Sequence, residues 1–166
     1  LLGPAKTVTS SLTYDQKALY KFLMKWLGER QYDVLEKDYK ERITPEGKRL
    51  YTFSWIANKK VDDYTEFFLT LDFKAEVENV QVETHEGKKK TEQKGDVTVT
   101  FLAYIHRDFE NQWPLSKERP TQRLLREIYD KLIIKGRFAR QEAALKQDLK
   151  AFMADVKTYV KTHRYD

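Results

Sequence analysis

Histidine is the side chain best suited to carry a proton near neutral pH, and this chain has three, His85, His106 and His163. None has a partner at metal-ligand spacing, and nothing resembles His-Glu-x-x-His. His106 sits in an alternating stretch beside Tyr104. From there it could meet a carboxylate such as Asp72 across a sheet, a pair able to do acid–base work. A half-solvated strand histidine has the same signature, so no catalytic residue is assigned. Asp62-Asp63 places two carboxylates side by side, where they could hold a cation, but adjacent acids in a turn also cap and solvate a hairpin. No metal site is assigned. The chain has no cysteine, which removes thiolate ligands, disulfides and cysteine nucleophiles. It has no glycine-rich phosphate loop and no Gly-x-Ser-x-Gly elbow. No cofactor is implied, and the pattern leans away from an enzyme.

Two groups of basic residues could hold anions. Lys88, Lys89 and Lys90 form a run in a polar stretch. Lys146, Lys150, Lys157, Lys161 and Arg164 fall within about 60° of one another on a helix turning 100° per residue. Residues 1–109 balance their basic and acidic side chains, so the net charge of +5 comes entirely from the last third. A basic stripe beside an apolar one can follow a phosphate backbone or lie on an anionic membrane. Lysines bordering a buried face also lay their methylenes on it and keep the ammonium wet. A third group is apolar: Ile56, Phe68, Leu102 and Tyr104 interrupt strand faces that otherwise carry Ser, Thr and charged residues. Aligned across neighbouring strands, they would form a patch of the kind that marks a partner surface.

The elements that must position these residues are marked by two periodicities. Phe67, Leu69, Leu71, Phe73, Ala75 and Val77 occupy every odd position of 67–77, the signature of a strand with one apolar face. Val80 and Val82 switch to even positions, which predicts a bulge or bend near Glu78-Asn79. Lys48 to Ala57 alternates with Tyr51, Phe53 and Trp55 on the core face. Leu35, Tyr39 and Ile43 share a parity within a charged edge strand from Gln31 to Ile43. Val97, Val99, Phe101, Ala103 and Ile105 mark a fourth strand after a loop from His85 to Gly95. Ahead of these, Thr13 and Gln16 read as a capping box, followed by Tyr14, Ala18, Leu19, Phe22, Leu23, Trp26 and Leu27 at helical spacing. Pro120 suits a first helical turn, with Leu124, Leu125, Ile128, Leu132 and Ile133 behind it. A last helix runs from about Arg137 to Lys161, with Phe138, Leu145, Leu149, Phe152, Val156 and Val160 on one side.

Together these predict an α+β fold: a four-stranded antiparallel meander packed on one face by an N-terminal helix and two C-terminal helices, in the order α-β-β-β-β-α-α. Residues 1–12 read as a flexible leader and 13–166 as one domain. No stretch approaches the length of a membrane span. The absence of cysteine fits a reducing compartment such as the cytoplasm, while a chain starting at Leu1 leaves open an upstream signal, anchor or tag. The expected function is a non-enzymatic protein-binding or structural module using the outer sheet face, with a protein partner or a second copy as its ligand. The alternatives are electrostatic binding of nucleic acid or anionic lipid by the C-terminal basic helix, and carriage of a hydrophobic ligand between sheet and helices.

Overall fold

Alternation decides the middle of the chain. In β4 (Thr65–Glu83) every odd residue from Thr65 to Val77 is buried, while the even ones keep contact with solvent, because successive strand side chains point to opposite faces. The computed structural model describes residues 1–107 and 135–163. Its other elements are β1 (Lys6–Tyr14), α1 (Gln16–Glu29), β2 (Asp33–Ile43), β3 (Arg49–Asp62), β5 (Lys89–Arg107) and α2 (Lys135–His163). The strands form one sheet in the order β1-β5-β4-β3-β2, and every neighbouring pair is antiparallel. α1 carries the chain from one edge strand to the other.

Five strands and, among the described residues, two helices replace the expected four strands and three helices. The additional strand is β1, in residues assigned to the leader. Val8, Leu12 and Tyr14 are buried at spacings of four and two, but Ser10 fills the position between Val8 and Leu12 and hides the alternation. On the other face Thr7 and Thr9 meet the hydroxyls of Thr100 and Thr98, each at 3.3 Å. The helix expected after Pro120 lies outside the described residues.

Three local expectations are also corrected. Thr13 belongs to β1 and pairs with Lys94, so the cap of α1 is Asp15. Its carboxylate accepts the Lys17 and Ala18 N–H groups at 2.9 and 3.1 Å, which otherwise have no partner within the helix. β4 runs past Glu78-Asn79 in unbroken register with β5. Its pairing with β3 ends at Val77, and β1 reaches only as far as Gln93, opposite Asn79. What remains is a two-stranded ribbon that buries neither face deeply, so Val80 and Val82 can change parity without a bulge. The basic stretch His85–Gly95 is mostly strand: the turn closes from Thr84 to Lys88 with Gly87 at φ +73°, and β5 begins at Lys89.

Both helices cover the inner face. Leu19, Leu23, Trp26 and Leu27 of α1 and Leu145, Phe152 and Val156 of α2 are buried against Phe53, Trp55, Leu71, Phe73, Val99 and Phe101. Trp26 and Phe152 stack at 4.2 Å between ring centres, and Phe101 meets Phe152 edge-on at 5.1 Å. Burying side chains of this size contributes about 1.5–3 kcal/mol each. Polar bonds fix the rotation of α2: Trp26 Nε1 donates to Asp155 at 2.7 Å and the Tyr32 hydroxyl to Asp148 at 2.8 Å.

Candidate functional site

On the outer face the register brings the four apolar candidates together. Phe68 lies opposite Tyr104. One pair step away, Thr70 lies between Leu102 on β5 and Ile56 on β3. Directly opposed residues share a face, so the four side chains occupy two adjoining rows. The Phe68 and Tyr104 rings stack at 4.9 Å and are nearly parallel. The His106 ring approaches Phe68 edge-on at 6.5 Å. Strand pairing extends the second row to Leu35 on β2, which is 60% exposed.

Leu35 is the member that sequence reasoning missed. It shares a parity with Tyr39 and Ile43 in the sequence, but the register shifts between Glu36 and Asp38. The extra residue, Lys37, turns everything after it over, so Leu35 faces outward while Tyr39 is stacked against inward-facing Phe53 at 6.1 Å. A bulge inserts one unpaired residue, and only the paired strand reveals it.

His106 and Asp72 do not meet. His106 lies opposite Glu66, and Asp72 lies opposite Thr100, six residues or roughly 20 Å along the strand. The Asp72 carboxylate instead accepts the Ser54 hydroxyl at 2.6 Å. Asp62 and Asp63 do not share a cation position either. Asp62 accepts the Tyr64 N–H at 2.9 Å and both Arg137 and Gln141 of α2 at 2.8 Å, while Asp63 pairs with Lys60 at 3.4 Å. Burial raises the Asp62 pKa, but the hydrogen bonds from Tyr64 and Thr65 and the Arg137 charge outweigh it and hold the carboxyl below its ordinary range. Among the described residues no group of three or more potential ligands is close enough to hold a metal.

The basic candidates divide. Lys88 pairs with Glu86 at 3.5 Å, and Lys90 pairs with Asp15 at 2.9 Å and Glu92 at 3.7 Å; Lys89 is exposed. Lys90 therefore clamps the start of α1, where Gln93 Oε1 also accepts the Gln16 N–H at 2.8 Å. Lys146, Lys150, Lys157 and Lys161 are all exposed, and none has an ion pair among the described residues. Lys157 and Lys161 border a groove of about 320 Å³ beside β1. Arg164 lies outside the described residues. The opposite flank of α2 turns Asp155 to Trp26 of α1 and Asp148 to Tyr32 just beyond it. No described helix is long and apolar enough to cross a membrane.

No family model matches the chain, and no curated protein matches it.

Proposed function

We propose that the protein is a non-enzymatic binding module that takes a protein partner on its outer sheet face. The observation that carries this is the cross-strand alignment of Phe68, Tyr104, Leu102 and Ile56, extended by exposed Leu35. Stacked aromatics within an apolar patch are the kind of anchor that dominates interface energy. The rim supplied by Asp33, Asn58, Lys60 and Glu66 is polar, as interfaces generally are at their margins. A partner with aliphatic or aromatic side chains on a flat or extended surface fits this chemistry, and a second copy would satisfy it too.

The test is association with and without the patch. Phe68→Glu and Leu102→Glu stand on the solvent side, so both should leave the circular-dichroism spectrum unchanged. Either should weaken association about thirtyfold or more, the equivalent of losing a hot spot of about 2 kcal/mol. A wild-type chain that stays monomeric at high concentration and captures nothing overturns the proposal.

A second reading draws on Lys146, Lys150, Lys157 and Lys161 of α2, which have no ion pair among the described residues and favour phosphate-bearing partners, nucleic acid or anionic lipid, through their charge.

A further inference from the structure

The first turns of α1 stand over the inner sheet face where the core filling stops, and two adjoining hollows of about 350 Å³ each open there. They share Gln16, Lys17 and Tyr39. Tyr20 lines one and Tyr51 the other. Each hollow falls within the usual size range of small-molecule sites.

Three phenol rings make the walls. Tyr39 is 45% exposed, yet its ring is braced by Tyr20 edge-on at 6.3 Å and by Phe53 at 6.1 Å. Tyr20 in turn meets Trp55 at 4.9 Å. The walls are thus flat, aromatic and held from behind.

Polar groups at this place are either fully used or conspicuously free. Glu36 accepts the Tyr20 hydroxyl at 2.7 Å and Trp55 Nε1 at 2.9 Å. Glu41 is paired with Arg49 at 2.6 Å, and Asp15 caps the helix. Gln16 differs. It is only 6% exposed, its Oε1 accepts the Tyr14 hydroxyl at 2.7 Å, and its Nε2 is buried without a partner among the described residues. Turning the amide over would leave its oxygen unpaired instead, so a residue that lines both hollows keeps one unsatisfied polar atom among the described residues either way. Buried polar groups ordinarily have a partner. At the rim, Lys17 and Lys21 are one helical turn apart, exposed and without an ion pair among the described residues. The first turn of α1 holds no acidic residue, and the carboxylate of its Asp15 cap is paired with Lys90 at 2.9 Å.

We propose that this cleft is a binding site for a small planar organic acid. Its ring would lie among Tyr20, Tyr39 and Tyr51, with an acceptor atom at the Gln16 amide and its negative charge at Lys17 and Lys21. The site is on the opposite side of the sheet from the partner face and does not depend on it.

The probe is 8-anilinonaphthalene-1-sulfonate, an aromatic anion that brightens in apolar surroundings, titrated into the full chain. One saturable site is expected. Lys17→Glu with Lys21→Glu should weaken it tenfold or more, and Tyr39→Ala fivefold or more, with near-ultraviolet circular dichroism confirming that each variant is folded. The uncharged N-phenyl-1-naphthylamine should bind more weakly than the sulfonate. Phe68→Glu should leave dye affinity unchanged, which separates the cleft from the outer patch. In nuclear magnetic resonance spectra the Gln16 side-chain amide signals should move on adding dye, and those of Asn58 on the outer face should not. Binding that is absent, that ignores the two lysines and Tyr39, or that disappears in Phe68→Glu overturns the proposal; only a failure of association in the wild-type chain bears on the partner face.

Discussion

At the scale of single residues, Gly95 is the most tightly enclosed of the described glycines. It lies opposite Val77, the last β4 residue paired with β3, and opposite Leu12 of β1 on its other side. A Cβ added there would lie 2.1 Å from the Glu76 carbonyl oxygen and 2.8 Å from the Val77 Cα. Both are backbone atoms of the neighbouring strand, so no side chain can swing aside. Gly87 is a different case, since it is needed for its positive φ in a turn with open space around it. Overpacking a fitted site costs about 1–3 kcal/mol, and a backbone clash belongs at the upper end. Gly95→Ala should therefore lower stability by about 3 kcal/mol, read as a fall in the urea midpoint. A midpoint shifted by less than a tenth of that equivalent would mean that the two strands do not approach so closely.

Elements differ in how plainly the sequence announces them, and the difference is physical. β4 was legible because an unbroken alternation from Phe67 to Val77 has no helical counterpart. β1 was not, because Thr and Ser fill its outward positions and Ser10 one inward one. On an edge strand, hydroxyls that bond to Thr98 and Thr100 serve as well as apolar side chains. The patch of Phe68, Tyr104, Leu102 and Ile56 could be named from parity but assembled only by register, and Leu35 was hidden behind the bulge at Lys37. The cleft at α1 left no signal, since Gln16, Tyr20, Tyr39 and Tyr51 look like ordinary members of a helix and two strands. α2 was the reverse case, its lysine stripe being visible from angular arithmetic alone. From Lys146 to Lys161 that stripe spans about 22 Å at 1.5 Å per residue. If these four lysines bind phosphates, affinity for a duplex DNA should fall with a log–log salt slope near −3.6, about a hundredfold between 50 and 200 mM salt. Reversing Lys150 and Lys157 to glutamate should abolish it. No binding to duplex DNA, RNA or acidic vesicles at low salt would remove the electrostatic reading and leave the partner face as it stands.

Across the whole molecule, the fold is built on tyrosines that must stay neutral. Burial is the leading cause that raises the pKa of Tyr14, Tyr20, Tyr32, Tyr39, Tyr51 and Tyr159. Carboxylates add to it, Glu36 at Tyr20 and Asp148 at Tyr32. Tyr20 and Tyr159 are pushed up to about 12, against about 10 in an unfolded chain. These phenols tie distant parts together: Tyr32 bonds α2 through Asp148, Tyr20 bonds β2 through Glu36, and Tyr159 stacks on Phe22 at 5.0 Å. The sign of the pH dependence follows from linkage. Well below pH 10 the phenols are neutral in both states and add no pH dependence to stability. Between about 10 and 12 the unfolded chain has lost these protons while the folded one retains them, so stability falls as pH rises. Phenolate absorbance at 295 nm should therefore still be rising above pH 10, as these six phenols ionise late. This late rise should coincide with loss of the circular-dichroism signal, because the most deeply buried of them, Tyr14 and Tyr32, can ionise only when the inner face opens. A single smooth titration near pH 10 with an unchanged spectrum would show that these hydroxyls are open to water, and with them the inner face that both helices are built to cover.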